Sequence, residues 1–331
     1  MSVSKFSLLC LPEPACRHVF RIMNMVELFT LSLCSKSSKT MVQSLHIPPA
    51  REITLIFHNS ISILTRPFQL RLMFSCDKDG TLERGKDLIK LDQPVTASIL
   101  SQDLTVECKQ PKLYFRQWIS HFLDFFHKNQ IDIIGPCETF HKYDYRFFSR
   151  ALDGLHKGVI GIWRDCSNEV NLAVIESFAP INVLGLAKNP YNDLASFQRL
   201  IFQNFNGLDL QCQVSLDELL LINVYSLDVD GYSVKDVNRF LKLWSKKSLN
   251  RLEYLRFEFP LGIVPEKDVV FKGIQYTTAP DKRDLILVNK RTMRKDRVVG
   301  GYDIRSKNGK IATVTFRNNT GKNWIDMIVW T

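Results

Sequence analysis

The 331-residue chain lacks an apolar segment long enough to cross a bilayer, since none approaches the ~18 uninterrupted apolar residues that a spanning helix needs. The apolar run from Phe6 to Leu11 is too short and too interrupted for a secretory signal. The sequence therefore predicts neither membrane insertion nor secretion.

Closely spaced cysteines are also missing. The eight cysteines never lie closer than six positions apart and form no CxxC pair, and the seven histidines form no HExxH or comparable pair. We therefore expect no structural zinc. A reducing compartment suits such free cysteines, so we predict a cytoplasmic or nuclear location.

The motifs of common enzymes are absent as well. The sequence contains no GxGxxG, GxxxxGK[ST] or GxSxG pattern, and no carboxylate and histidine set within one motif. We predict a non-catalytic protein with no cofactor. An apolar content of 45% and a charged content of 24% are typical of a globular chain, and the length favours one small and one larger domain.

Apolar residues concentrate between Phe6 and Leu45, where they number 21 of 40 and fall into three short helical patterns. The first helix is predicted to start at Leu11-Pro12, because proline is tolerated in an opening turn. Asn24 and Glu27 predict a capping box for the second helix, and Ser35 or Ser37 is expected to cap the third.

The second predicted helix, Met25 to Cys34, is apolar nearly all the way round its axis. Such a helix must be covered on more than one side. A unit of ~40 residues also buries too little surface to be secure alone. The cover is therefore either the rest of this chain or another protein.

The residues of this segment resemble the F-box, in the variant of a large nematode family. The resemblance lies in Leu11-Pro12, Val19-Phe20, Glu27-Leu28 and the run Leu31 to Lys36, and it departs at Glu13 to Cys16, where Pro14 and two small residues replace larger aliphatics. F-box modules dock on the Skp-type adaptor of a cullin-RING (SCF) ubiquitin ligase. The resemblance implies an adaptor-binding set of Leu11, Pro12, Val19, Phe20, Met25, Leu28, Leu31, Ser32, Cys34 and Lys36.

The region after Pro48-Pro49 contains strand and helix patterns. We predict strands at Arg51 to Phe57 and Pro67 to Cys76, a turn between Asp77 and Gly85, and a helix from Leu113 to Phe126. The helix carries an apolar stripe of Trp118, Ile119, Phe122, Leu123 and Phe126, flanked by His121 and His127 as expected boundary histidines.

From Val159 onward, short strands alternate with helices. Predicted strand centres near residues 184, 209, 227 and 255 are separated by 25, 18 and 28 positions, which is close to the length of leucine-rich repeats. The consensus motif of those repeats is absent from the sequence. Ser233 and Asp236 predict a further capping box. On the helix that follows, Asn238 lies on the apolar side, so we expect its amide to hold a neighbouring loop.

Several segments of this region resemble the F-box associated domain of type 2 that follows the F-box in the same nematode family. They are Ser215 to Asn223, Lys235 to Trp244, Arg251 to Leu255, Gly300 to Arg305, Ala312 to Val314 and Val329-Trp330. The resemblance implies a substrate-recognition subunit that presents a target protein, with the F-box at 5–47, a linking α/β region at 48–158 and the associated domain at 159–331.

The predicted fold class is α+β. A three-helix F-box precedes a mixed α/β domain with leucine-rich-repeat-like parallel strands and a C-terminal antiparallel hairpin. Asn308-Gly309 predicts a type I′ turn in that hairpin, because both central residues of such a turn need positive φ.

The formal charge of +10 suggests an alternative function, association with nucleic acid. From Asp281 onward the chain holds twelve Lys or Arg against five Asp, and Lys290, Arg291, Arg294, Lys295 and Arg297 are crowded together. Such a cluster is typical of a solvated loop, but it also suits a basic nucleic-acid-associated protein. The alternative predicts binding that weakens steeply with salt.

Overall fold

The computed structural model describes residues 10–57, 61–66, 70–75, 94–101, 104–136, 145–246, 251–280, 285–288, 295–319 and 321–330. The chain separates into two compact units, 1–157 and 158–331. None of the helices in these ranges is long and apolar enough to cross a membrane. The turn predicted between Asp77 and Gly85, and Lys290, Arg291 and Arg294 of the basic cluster, lie outside the described residues.

The first unit combines three N-terminal helices with a mixed sheet in the strand order β6-β1-β2-β3-β4-β5. Strand β1 is parallel to β6, and the other neighbouring strands are antiparallel. The elements are α1 (Glu13–Ile22), α2 (Met25–Cys34), α3 (Lys36–Gln43), β1 (Glu52–Phe57), β2 (Ile61–Arg66), β3 (Arg71–Ser75), β4 (Pro94–Leu100), β5 (Thr105–Tyr114), α4 (Phe115–Phe125), β6 (Gln130–Pro136) and α5 (Tyr145–Ala151).

The three predicted N-terminal helices are confirmed, and so are the caps predicted for the second and the third. Helix α1 begins directly after Pro12. At α2, the Glu27 amide donates to Asn24 Oδ1 at 3.0 Å and the Asn24 amide donates to Glu27 Oε2 at 2.8 Å. Ser35, rather than Ser37, caps α3. Strands β2, β4, β5 and β6 were not predicted from the sequence.

Helix α4 links the sheet to the N-terminal helices. All five residues of its predicted stripe are buried, and the Trp118 indole N–H donates to the Val95 carbonyl of β4 at 3.1 Å. On another side of α4, Phe122 and Phe125 meet Phe29 of α2 edge to face, with ring centroids 5.5 and 5.1 Å apart. The same helix therefore packs on both the sheet and α2.

The second unit is a sheet in the order β7-β8-β9-β10-β11-β17-β16-β15-β12, with a separate pair β13-β14. The described pairings from β7 to β11 are parallel and those from β11 to β12 are antiparallel. The elements are β7 (His156–Ile162), α6 (Asn168–Phe178), β8 (Val183–Leu186), α7 (Leu194–Ile201), β9 (Gly207–Leu210), α8 (Leu216–Leu221), β10 (Ser226–Asp230), α9 (Val234–Lys246), β11 (Tyr254–Phe259), α10 (Lys267–Val270), β12 (Thr277–Thr278), β13 (Leu285–Val288), β14 (Lys295–Val298), β15 (Tyr302–Arg305), β16 (Ile311–Asn319) and β17 (Lys322–Trp330).

One helix follows each of the parallel strands β7 to β10. These helices differ in length, from 6 residues in α8 to 13 in α9, so the unit has no uniform repeat. A leucine-rich-repeat relationship therefore stays a prediction, as do the domain bounds 5–47, 48–158 and 159–331. The mixed sheet and the C-terminal antiparallel strands β15, β16 and β17 agree with the predicted fold class.

The turn between β15 and β16 differs from the predicted type I′ turn. Gly309 has φ +88°, but Asn308 is not among the described residues with positive φ. The Gly309 amide donates to the Ser306 carbonyl at 3.0 Å, so Lys307 and Asn308 are the central residues and Gly309 follows them. Asn308 therefore does not need the left-handed conformation, which only Gly309 adopts.

A buried carboxylate ties β11 to β17 and β16. Asp326 is 1% exposed, and its Oδ1 accepts the Tyr254 hydroxyl at 2.7 Å and Arg256 Nε at 2.8 Å. Arg317 Nε lies 3.1 Å from Asp326 Oδ2. Burial and the Asp326 charge raise the pKa of Tyr254, so this phenol stays a neutral donor.

Asn238 holds a neighbouring loop, as predicted. Its Nδ2 donates to the carbonyls of Val270 and Lys272, at 2.7 and 3.0 Å, at the C-terminal end of α10. We expect Asn238→Ala to lower the free energy of unfolding by about 2 kcal/mol, because two carbonyls lose their partner. Chemical denaturation would measure this loss.

Hydrogen exchange across residues 266–273 provides the local measurement for Asn238→Ala. Exchange there should accelerate more than in α6. Arg239→Ala, on the exposed side of the same helix, is the matched control and should change stability by less than ~0.5 kcal/mol. Equal effects of the two variants would contradict the role given to Asn238.

His121 predicts an acid-sensitive first unit. Burial and, to a smaller extent, the Lys39 charge lower the pKa of His121 to about 4, against the opposing effect of Asp124. The unfolded chain, with an ordinary histidine pKa of ~6.5, takes up a proton before the folded chain does. Stability is therefore complete above pH ~6.5 and is lost as the pH falls towards 4, by up to about 3 kcal/mol.

Urea unfolding of the first unit between pH 7 and 4 would test this. Carboxylates also titrate in this range, so the informative quantity is the difference between wild type and His121→Gln. We expect the wild type to lose more stability than the variant on acidification. Parallel pH profiles would refute the assignment.

Candidate functional site

Helix α2 has an inner face that this chain covers and an outer face that it leaves open. Val26, Phe29 and Ser32 are buried. Leu31 is partly exposed and Cys34 is exposed. Helix α2, which is apolar nearly all the way round, is therefore covered by its own chain on one side. The sequence left open whether this chain or another protein covers the helix, and for the inner face the cover is this chain.

The predicted adaptor-binding residues divide in the same way. Phe20, Leu28 and Ser32 are 0%, 6% and 4% exposed and lie in the interior of the first unit, and their part in adaptor binding stays a prediction. The others reach the surface. They are Leu11, Pro12, Val19, Met25, Leu31, Cys34 and Lys36.

Ile22, which the sequence analysis missed, joins this surface. It is the last residue of α1 and is 73% exposed. Its position between Val19 and Met25 in the chain is a signal that sequence reasoning could have used. We define the outer F-box surface as these seven residues together with Ile22.

A cavity of about 320 Å³ lies between α1 and α3. Its lining residues are Glu13, Arg17, Phe20, Thr40, Met41 and Ser44. Glu13 and Arg17 form an exposed ion pair of 2.7 Å along α1. The lining residues include this one ion pair and the apolar side chains of Phe20 and Met41. The two opposite charges cancel, so the cavity lining has no net charge.

The Ser32 and His121 pair resembles part of a catalytic triad but cannot act as one. Ser32 Oγ lies 2.8 Å from His121 Nε2 and donates its proton to the Phe29 carbonyl at 2.7 Å, so the imidazole is the donor to Ser32. The Asp124 carboxylate binds Lys39 at 2.9 Å. Ser32 is buried, so no substrate reaches the hydroxyl, and the pair holds α2 on α4.

The described residues contain no group of three or more His, Cys, Asp or Glu placed to bind a metal ion. Burial raises the pKa of Cys212 to about 11, so this thiol stays protonated at neutral pH.

A second exposed apolar surface lies in the second unit, in the loop after β11. Leu261, Ile263 and Val264 are 72%, 45% and 69% exposed. We call this segment the 260–265 loop. Sequence reasoning missed it, because a Pro-Leu-Gly-Ile-Val-Pro segment is equally compatible with a buried turn.

The 260–265 loop is held in place. The Asn323 amide donates to the Ile263 carbonyl at 2.9 Å and accepts from Asn318 Nδ2 at 2.7 Å. Asn323 is 7% exposed, so this support is buried. A pinned loop presents its aliphatic side chains with little ordering entropy to lose on binding.

Comparisons with known proteins support both modules. The family model of the F-box domain matches residues 8–49, and the model described as F-box associated matches residues 196–257. The F-box associated domain-containing protein sdz-33 of Caenorhabditis elegans is 21% identical over 292 residues, which cover 83% of this chain and 87% of the relative. No solved structure matches the chain.

The two models match in the order predicted from the sequence, and the first covers α1, α2 and α3. The second covers the elements from α7 to most of β11. Residues 8–49 are therefore similar to the F-box domain and residues 196–257 to the F-box associated domain, and the chain resembles an F-box associated domain-containing protein of a nematode along most of its length.

Proposed function

We propose that this protein is the substrate-recognition subunit of an SCF-type cullin-RING ubiquitin ligase. Its outer F-box surface docks on a Skp-type adaptor and, through the adaptor, on a cullin. The second unit presents a target protein. The observation that carries the proposal is the F-box match over three helices whose outer side remains unpacked by this chain.

The exposed residues of that surface suit a protein partner. Ile22, Met25 and Leu31 contribute aliphatic area that gains free energy on burial, at about 25 cal/mol per Å². Lys36 lies at the start of α3 and offers a cation at the edge of the same surface. An apolar centre with a polar rim is the usual composition of an interface.

In this role the protein holds the target beside the conjugating enzyme and catalyses no step itself. A receptor that holds a target beside a charged conjugating enzyme raises the local concentration of the target lysines. Such a role needs two separate binding surfaces and no catalytic side chains of its own. It also suits a cytoplasmic or nuclear location, where ubiquitin ligases of this class act.

Leu31→Asp should abolish adaptor binding while both units stay folded. The substitution places a charge on the outer face of α2, where it would be desolvated by the adaptor. Binding of the purified full chain to a Skp-type adaptor would be measured by calorimetry. We expect the affinity to fall at least 100-fold.

Two further variants serve as controls for Leu31→Asp. Leu194→Asp changes an exposed leucine of the second unit, 60% exposed at the start of α7, and should bind the adaptor normally. Leu28→Asp should instead lower the thermal stability of the first unit, because Leu28 is buried. Unchanged adaptor affinity in Leu31→Asp would remove the F-box surface as the docking site.

The 260–265 loop is the part of the second unit that we propose for target contact. The double variant Leu261→Ser and Val264→Ser should reduce co-purification of target proteins from native extract by at least tenfold, because aliphatic contacts to the target are lost. Quantitative mass spectrometry would compare it with wild type. Adaptor recovery should be equal in both samples, and full target recovery by the variant would place the contact elsewhere.

A further inference from the structure

Helix α4 contacts two of the three F-box helices through different kinds of interaction. Phe29 of α2 meets the rings of His121, Phe122 and Phe125 with centroids 5.1 to 5.5 Å apart. Ser32 of α2 accepts a hydrogen bond from His121 at 2.8 Å. Lys39 of α3 forms an ion pair of 2.9 Å with Asp124.

These contacts join parts of the chain that are far apart in sequence. The hydrogen bond spans 89 positions and the ion pair spans 85. They are therefore tertiary contacts made by the folded first unit, not local features of the F-box sequence. The F-box helices have 10, 10 and 8 residues, and helices of that length are marginal in water without packing.

The inner and outer faces of α2 consequently have different partners. Helix α2 is covered by α4 and by the neighbouring strands β4 and β5, whereas the outer F-box surface is exposed or partly exposed. His121 contacts α2 and is not one of the residues of the outer F-box surface, but it can affect how often α2 and α3 adopt the arrangement that a docked protein recognises.

We propose that α4 is a positioning element that preorganises the F-box for its adaptor. His121, Phe29 and the Lys39–Asp124 pair are positioning residues that act through α2 and α3. The inference rests on the proposed docking of the adaptor. It goes beyond that docking because it assigns a role in binding to residues that the adaptor does not contact.

The kinetic consequence separates a positioning residue from a contact residue. When α2 is released from α4, the fraction of binding-competent protein falls and the apparent association rate falls with it. The dissociation rate stays nearly constant, since the contacts within the complex are unchanged. A contact residue such as Leu31 acts mainly on the dissociation rate.

The experiment uses the full chain and an immobilised Skp-type adaptor at pH 7, followed by surface plasmon resonance. His121→Ala is expected to lower the association rate about tenfold and to leave the dissociation rate within about twofold. A tenfold lower association rate corresponds to a variant in which a fraction of ~0.1 of the molecules is competent to bind. His127→Asn is the matched control, because His127 is exposed at the end of the same helix with φ +50°, which asparagine tolerates. The control should bind as wild type.

A charge exchange provides a test that does not open the core. Lys39→Asp and Asp124→Lys should each lower the association rate by about twofold to fivefold, within the range of an exposed ion pair. The double variant, with the charges exchanged, should recover the wild-type rate. If His121→Ala fails to fold, as judged by circular dichroism, the charge exchange alone decides the question.

The outcomes distinguish this inference from the proposed function. If wild type does not bind the adaptor, the proposed function fails. If wild type binds and the α4 variants bind at the wild-type rate, the F-box takes up its shape on the adaptor and the positioning role is wrong. A change confined to the dissociation rate would also overturn it, because that result makes these residues contacts.

Discussion

The burial of α2 on α4 is the contact on which the first unit depends. Phe29 enters a cluster of aromatic rings from α4, and Trp118 and Phe122 of α4 are themselves fully buried. Helix α4 therefore connects the F-box to the sheet, and α2 also contacts β4 and β5 directly. Three short helices alone bury too little surface for a stable fold, so the rest of the first unit supplies the missing apolar cover.

Polar residues inside the two units hold specific neighbours in place. Ser32 and His121 join α2 to α4, Asn238 holds the end of α10, and Asp326 joins three strands through Tyr254, Arg256 and Arg317. Ser32, Asn238 and Asp326 are buried, and a buried polar group without a partner costs more than one in water. These pairings restrict the packing to one arrangement, whereas apolar contacts tolerate several.

The two exposed apolar surfaces suit a protein that works by bringing others together. The outer F-box surface lies on α1, α2 and α3, and the 260–265 loop lies in the second unit. The loop is supported by Asn323 from beneath, and the F-box helices are supported by α4. In both places an internal contact holds exposed apolar side chains in position, and a surface ordered in this way loses less entropy on binding than a mobile one.

The sequence by itself determined the features that depend on residues a few positions apart. The caps at Asn24 and Ser233, the length of α2 and the loop-holding role of Asn238 followed from local spacing and side-chain chemistry, because a cap bonds only to the next turn.

Tertiary structure decided which side of α2 faces the chain, since Phe29 and Ser32 find partners about 90 positions away and periodicity shows only that the helix is apolar all round. It likewise decided the geometry after β15, where strand register makes Gly309 rather than Asn308 adopt positive φ, and it decided the exposure of Leu261 and Val264. Burial is a property of distant neighbours, and a local pattern does not contain them.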